Sequence, residues 1–226
     1  MNHRTISGRV AATPVVNAAN NRIVFRLIHN FGGDTEPLGL NFVAFKTKKG
    51  FPAGVEGLKK GDNVIVAAFL RPNNYTNAEG EVKYRSQLIV KNVKVNESNE
   101  SVNDFVLTGR LAADPAVKGK TMTFRLIHNF GGDKAPMGQN YVAFQGKDGK
   151  WPEGLDGIKK GDAVQVAAFE RPNNYTNETG GKLYRSQTIV KRAEPWAPTK
   201  ADEEAATEDA AVEGFLPEEI NVEFAE

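Results

Sequence analysis

The chain repeats itself. The decapeptide FRLIHNFGGD stands at Phe25–Asp34 and again at Phe124–Asp133, and RPNNYTN stands at Arg71–Asn77 and again at Arg171–Asn177. Of the 19 residues from Lys59 to Asn77, 16 equal their counterparts from Lys159 to Asn177. A period near 100 residues is too long for a solenoid unit of roughly 20–50 residues and long enough for each copy to build its own core. The offset between copies is 101 at Gly8/Gly109, 99 at Phe25/Phe124 and 100 from Phe51/Trp151 onward. Residues are therefore gained or lost after Pro14 and near Lys150, and both points are predicted to be loops. The 226 residues divide into a unit at 1–95, a short polar joint NESNESVN at 96–103, a second unit at 104–193 and a remainder at 194–226.

Within a unit the apolar period is two, not 3.6. Segments rich in β-branched and aromatic residues, bounded by Gly, Pro and Asn, predict five strands: Thr5–Ala12, Arg22–Asn30, Asn41–Lys46, Asn63–Leu70 and Val82–Val95. Between the third and fourth, FPAGVEGLKKGD has room for no more than a short helical turn. Five strands in about 95 residues suit a small Greek-key barrel of the OB type, whereas an immunoglobulin-like sandwich needs about seven. The expected fold is all-β: two tandem five-stranded OB-fold barrels.

Charge is segregated along the chain. From Ala201 to Glu226 there are ten acidic and no basic residues, so the 29 Lys and Arg of the body face only 18 of the 28 Asp and Glu. The body carries +11 and the tail −10. A basic body points to a polyanionic partner, and an all-acidic terminal block to a disordered, solvated interaction tail at 194–226. With no cysteine, disulfides, thiolate metal sites and a cysteine nucleophile are excluded. No apolar run approaches the ~20 residues of a membrane helix, and MNHRTISGRV lacks the apolar core of a secretory leader, so a cytoplasmic protein without membrane contact is expected.

Catalysis finds little support. His29 and His128 are one position seen twice, with no acidic or histidine partner at metal-ligand spacing, and read as hydrogen-bonded strand-end residues. The GGD after each is a turn, since no G-x-x-x-x-G-K-S/T pattern accompanies it. LKKGD and IKKGD read as turns into the fourth strand. No catalytic residue, metal or cofactor is expected.

The recurring residues of chemical interest are instead basic and aromatic. Arg26/Arg125, Phe31/Phe130, Phe45/Phe144, Arg71/Arg171, Tyr75/Tyr175, Tyr84/Tyr184 and Arg85/Arg185 interleave the two kinds of side chain on or beside strands. Arginines hold a phosphate backbone while ring faces stack on bases, at roughly 1–3 kcal/mol per base and without regard to sequence. Phe25 and Phe124 share a strand face with Leu27 and Leu126 and are assigned to the core. Tyr75 and Tyr175 sit in a polar loop with no core to bury them. In NFVAF, Phe42 and Ala44 share one face and Val43 and Phe45 the other, and Phe45 is expected to point outward. Leu70 becomes Glu170 among identical neighbours, a change for which the sequence offers no account.

These residues resemble the bacterial single-stranded DNA-binding protein family over nearly the full length of each unit. TGRLAADPAV (Thr108–Val117) is similar to the family's opening strand, and SGRVAATPVV is its variant in the first unit. GLKKGDNVIVAAFLRPNNYTNAEGEVKYRSQLIV is similar to its Leu-Lys-Lys-Gly-Asp lead into strand four, the long loop, and the Gly-x-x-x-Tyr-Arg lead into strand five. The resemblance implies sequence-independent binding of single-stranded DNA in replication, recombination or repair, in the bacterial nucleoid. It places stacking rings at Tyr75 and Tyr175, at Phe45 and Phe144, and loosely at Phe31 and Phe130. The family's further aromatic at the start of strand three is missing, since Gly39 and Gly138 lie there. It also implies a tail that recruits replication or repair proteins, with Phe215, Leu216, Ile220, Val222 and Phe224 as apolar anchors, although the family's Pro-Phe end is absent. A chain with two units implies a homodimer presenting four OB folds. Two other readings of the residues stay open: an OB-based protein adaptor and a single-stranded RNA-binding protein.

Overall fold

The strands close into two five-membered circuits. The computed structural model describes residues 1–197 apart from 20, 84, 131–134 and 177–179, and among the described residues every regular element is a strand. The first unit holds β1 (Asn2–Val10), β2 (Val15–Asn17), β3 (Arg22–His29), β4 (Leu38–Phe45), β5 (Asn63–Pro72), β6 (Tyr75–Thr76), β7 (Val82–Lys83) and β8 (Ser86–Val95). The second holds β9 (Asn103–Leu111), β10 (Ala116–Lys118), β11 (Thr121–His128), β12 (Met137–Phe144), β13 (Ala163–Pro172), β14 (Tyr175–Thr176), β15 (Lys182–Leu183) and β16 (Ser186–Pro195). In the first, β1 pairs with β3, β3 with β4, β4 with β8 in parallel, β8 with β5, and β5 with β1 again. The second repeats this through β9, β11, β12, β16 and β13. Closure removes the free edges that a five-stranded open sheet would expose.

The predicted continuous strand Val82–Val95 is broken. Val82–Lys83 leaves the barrel to pair with Tyr75–Thr76 as a small hairpin, and the barrel strand resumes at Ser86. The copy differences fall in turns. β2 and β3 are joined by four residues, but β10 and β11 by only two, Gly119 and Lys120. The turn closed by Thr47 and Gly50 gains one residue in the second unit, where Gly146 closes on Lys150. The segment at 51–62 contains turns alone, and Ala53 and Glu153 hook onto β8 and β16 through their carbonyls, 2.8 Å from the amides of Val93 and Ala193. Gly54 and Gly154 are required there: both have φ near +77°, and a Cβ would lie 2.0 and 1.8 Å from the carbonyl oxygens of Val93 and Ala193.

Alternation decides the interior. Phe42 and Ala44 point into the first barrel, where Phe42 stacks on Phe25 at 5.5 Å, while Val43 and Phe45 point out. Tyr141 takes the place of Phe42 in the second barrel, stacked on Phe124 at 5.3 Å, and its buried hydroxyl has no hydrogen-bond partner among the described residues.

The barrels are fused through their first strands. Asn2–Ile6 of β1 pairs antiparallel with Asn103–Leu107 of β9, while the same strand closes its own barrel through β5 and β3. With an offset of 101, each residue faces the counterpart of another, and Arg4 faces its own counterpart Phe105. The pairing is thus self-complementary, as across a two-fold axis. Asn2 and Asn103 brace it: each side chain accepts from the backbone N–H of residue 70 or 170 and donates to the same residue's carbonyl. The joint 96–103 is itself ordered. Asn96 brackets Glu100 with both side-chain atoms, and the Ser7 hydroxyl accepts from the Val102 amide at 2.8 Å.

Candidate nucleic-acid interface

Repetition of the motif RPNNYTN has a local cause. In the first unit the Asn73 amide donates to the Arg85 carbonyl and the Asn74 side chain accepts from the Arg85 amide, at 2.8 and 3.2 Å. Asn173 and Asn174 clasp Arg185 in the same way, at 2.7 and 3.0 Å. The clasp joins the two legs of a hairpin that stands off the barrel, and it sets one arginine over one ring. The Arg85 guanidinium lies 5.3 Å from the Tyr75 ring centre, and that of Arg185 lies 5.5 Å from Tyr175. Tyr75 is half-buried and Tyr175 is 43% exposed. In both copies a cation and an aromatic face are held together outside the core, in a geometry worth about 0.5–1 kcal/mol at an exposed site. Tyr184 is 71% exposed with the Lys182 ammonium 5.5 Å from its ring, and Tyr84 lies outside the described residues.

The other expected rings divide. Phe45 leaves the barrel core but is only 8% exposed, packed in a separate outer cluster with Phe69, Ile89 and Val43 and covered by Arg71 at 5.5 Å. Its counterpart Phe144 is 41% exposed, and Arg171 is exposed too. Phe31 and Phe130 stand edge-on to His29 and His128, ring centres 4.8 Å apart in both units. The expectation that Phe130 stacks on a base is corrected here: it is 5% exposed and part of the core, which leaves no open ring face. Phe31 is half covered against the same core.

Arg26 and Arg125 explain the glycines that stand where an aromatic was missing. Each arginine is cross-strand from an asparagine, Asn41 or Asn140, and its guanidinium lies over the glycine two residues before that asparagine. A Cβ on Gly39 would lie 2.6 Å from the Arg26 Nη2, and one on Gly138 would lie 2.2 Å from that of Arg125. Glycine makes the room, and a planar cation covers the sheet where a ring was sought. Arg125 also donates to the Asn140 carboxamide at 3.0 Å.

Two lysines escaped the sequence reading. In both copies the β5·β8 type of pairing slips by one residue, so that Lys91 and Lys191 have no residue directly across from them in the strand register, and the Lys191 ammonium pairs with the Asp104 carboxylate at 2.5 Å. The bulge turns these lysines outward over Phe69 and Phe169, at 5.1 and 5.7 Å. No local pattern marks a bulge, because it depends on pairing with a strand about 20 residues away.

The histidines are structural. His29 and His128 are buried at strand ends, and each Nδ1 donates to a carbonyl, of Ser7 at 2.7 Å and of Thr108 at 2.6 Å. Burial above all, with the Arg4 charge adding to it, holds His29 below its ordinary pKa, against the upward pull of the Ser7 carbonyl. In LKKGD and IKKGD the aspartate carboxylates accept from the Lys59 and Lys159 amides at 2.8 Å, so these are side-chain-closed turns. The tail residues Phe215, Leu216, Ile220, Val222 and Phe224 lie outside the described residues.

The copies also meet through ion pairs. The Arg4 guanidinium pairs with the Glu170 carboxylate, which also accepts from the Ser186 hydroxyl, and lies 5.7 Å from the Phe105 ring centre. This accounts for the change from Leu70 to Glu170: the acid answers an arginine that stands where the other copy has Phe105. Glu36 reaches the second unit's hairpin, accepting from the Lys182 ammonium at 2.5 Å and from the Asn174 side chain.

No protein-family profile matches the chain, and no curated protein matches it in sequence. Solved structures do match. The wild-type single-stranded DNA binding protein from Thermus aquaticus aligns with a TM-score of 0.59 at 14% identity, over 88% of this chain and 94% of that one. A deletion variant of the same protein aligns with the same score and identity, over 88% and 96%. This is a tandem OB fold. The OB barrels therefore carry, on hairpins and outer faces, a duplicated set of cations and rings supported by backbone clasps and bulges.

Proposed function

We propose that the chain binds single-stranded DNA without sequence preference. The observation that carries the reading is the arginine–tyrosine pair on each projecting hairpin, Arg85 with Tyr75 and Arg185 with Tyr175. A ring held off the core beside a permanent cation serves a polymer of stacked bases and phosphates, and it is sequence-tolerant because every base has a π-face. Tyr75, Tyr175, Tyr184 and Phe144 supply the rings. Arg26, Arg71, Arg125 and Arg171, with the bulge lysines Lys91 and Lys191, supply cations along the barrels. The proteins of like fold from Thermus aquaticus are named for single-stranded DNA binding, which agrees with this reading.

On the same reading the protein protects single strands during replication, recombination or repair, as a homodimer of four barrels. The −10 tail then serves as a tether for partner proteins through Phe215, Leu216, Ile220, Val222 and Phe224. The test is fluorescence anisotropy with labelled single-stranded DNA, duplex DNA and single-stranded RNA of one sequence at two salt concentrations. Preference for single-stranded DNA, with log K falling by about 0.7 per phosphate contact for each decade of salt, is expected. Equal affinity for duplex, or salt-independent binding, overturns the reading, and preference for RNA reassigns its substrate.

A further inference from the structure

Between the barrels runs a groove of about 480 Å³. Its walls include Arg26 and Asn41 on the sheet of the first unit, and Asn174, Tyr184, Arg185 and Ser186 from the hairpin side of the second. Two arginines and an exposed ring converge on it, and among the described residues no acidic side chain lines it. At its rim Glu36, next to the groove residue Pro37, holds the second unit's hairpin: one carboxylate oxygen accepts from the Lys182 ammonium and the other from the Asn174 side chain. This contact occurs once per chain, because the repeat places Ala135 at the counterpart of Glu36 and Val82 at the counterpart of Lys182.

We infer that this groove is a single-strand subsite shared by the two units, and that Glu36 acts as a latch on it, occupying with its carboxylate the donors that a phosphodiester of the bound strand takes. The inference rests on the proposed single-strand binding and extends it to the crossing between barrels. A carboxylate and a phosphodiester each present two negatively charged oxygens to a pair of donors, so the Lys182 and Asn174 set that accepts one accepts the other. Asn174 is already oriented for this, since its side-chain oxygen accepts from the Arg185 amide and leaves the amide group for an anion. A strand running from Arg26 to Arg185 passes the latch, displaces Glu36 and takes over Lys182. Holding the hairpin down in the free protein, the carboxylate lowers affinity and spares the basic groove from casual anions.

The experiment is affinity for a single-stranded oligonucleotide of roughly 35 nucleotides, enough to span two barrels at about 4–16 nucleotides each. Wild type, Glu36→Gln, Lys182→Gln and the double variant are compared across a salt series, with Tyr75→Ala/Tyr175→Ala in parallel. Glu36→Gln is expected to bind about two- to five-fold more tightly, the range set by one exposed ion pair, with a salt slope steeper by up to about 0.7. In the Lys182→Gln background the same substitution is expected to gain little, because the latch has already lost its partner. An equal gain in both backgrounds would mean general charge removal and would overturn the inference, as would no gain at all. If the tyrosine variant loses affinity while Glu36→Gln gains none, the latch alone falls. If wild type binds no single strand, the functional reading falls with it.

Discussion

Arg4 stands at the pseudo-two-fold axis of the β1–β9 pairing and Glu170 answers it from β13, and removing one without the other should be the most damaging single change in the fusion of the barrels. Their side chains are 3% and 13% exposed, and the Arg4 Nε and Nη2 already lack hydrogen-bond partners among the described residues. Glu170→Leu leaves a buried guanidinium with no counter-charge, a situation that costs about 3–5 kcal/mol. At about 2–4 °C per kcal/mol for a chain of this size, the midpoint of thermal unfolding should fall by about 6–20 °C. Arg4→Phe should cost less, since the stranded carboxylate keeps the Ser186 hydroxyl and partial exposure. The double variant Arg4→Phe/Glu170→Leu should recover wild-type stability or exceed it by about 1–4 kcal/mol, because a buried ion pair replaced by packed apolar groups regains its desolvation cost. The counterpart positions across the same pairing already show that composition, Phe105 from the second unit and Leu70 from the first, both buried. Thermal and urea unfolding followed by circular dichroism, at one protein concentration, measures all four. A Glu170→Leu midpoint within 2 °C of wild type, or a double variant at the sum of the two single losses, would refute the argument.

Tyr141→Phe should stabilise the second barrel by about 1 kcal/mol, since it removes a buried hydroxyl that lacks a partner and restores the residue found at Phe42; urea unfolding that shows a loss would contradict this. With His29 held below its ordinary 6.5 by burial, the unfolded chain takes up a proton that the folded one refuses, so stability falls as pH drops through about 6.5 and is level above it. The midpoint for His29→Gln should therefore drop less between pH 7.5 and 5.5 than that of wild type, and equal drops would exclude His29 as the group responsible. Tyr75→Ala and Tyr175→Ala together should weaken single-strand binding by roughly 1–3 kcal/mol per lost stack at every base composition, and a loss confined to one sequence would refute stacking in anisotropy titrations. Deleting residues 201–226 removes a charge of −10 and should leave or strengthen strand binding, whereas weaker binding would assign the tail to the strand site itself.

Much of the fold was legible from periodicity. The alternation in NFVAF sorted Phe42 and Ala44 inward and Phe45 outward because side chains change face at every residue of a strand. The copy offsets located the turns around Gly119 and Gly146, because chain length changes only where no ladder is broken. Arg85, Arg185, Tyr75 and Tyr175 stood out because a polar loop has no core in which to hide a ring. The break before Ser86 was missed, since the hairpin strands are two residues long and β-propensity continued through them.

What the sequence determined by itself is what neighbouring residues decide: a duplication, strands of period two, turns where copies differ in length, and cations interleaved with rings. Tertiary structure alone decided which of those rings are open, and Phe45 and Phe144 make the point, being the same residue in the same motif yet 8% and 41% exposed. It alone paired Arg4 with Glu170 and Glu36 with Lys182, across 166 and 146 positions. In both pairs, each partner sits where the two copies differ, and in sequence each difference looks like drift. They become partners only because the β1–β9 register brings the units together, and that register is set by the closing of two barrels rather than by any stretch of chain within either.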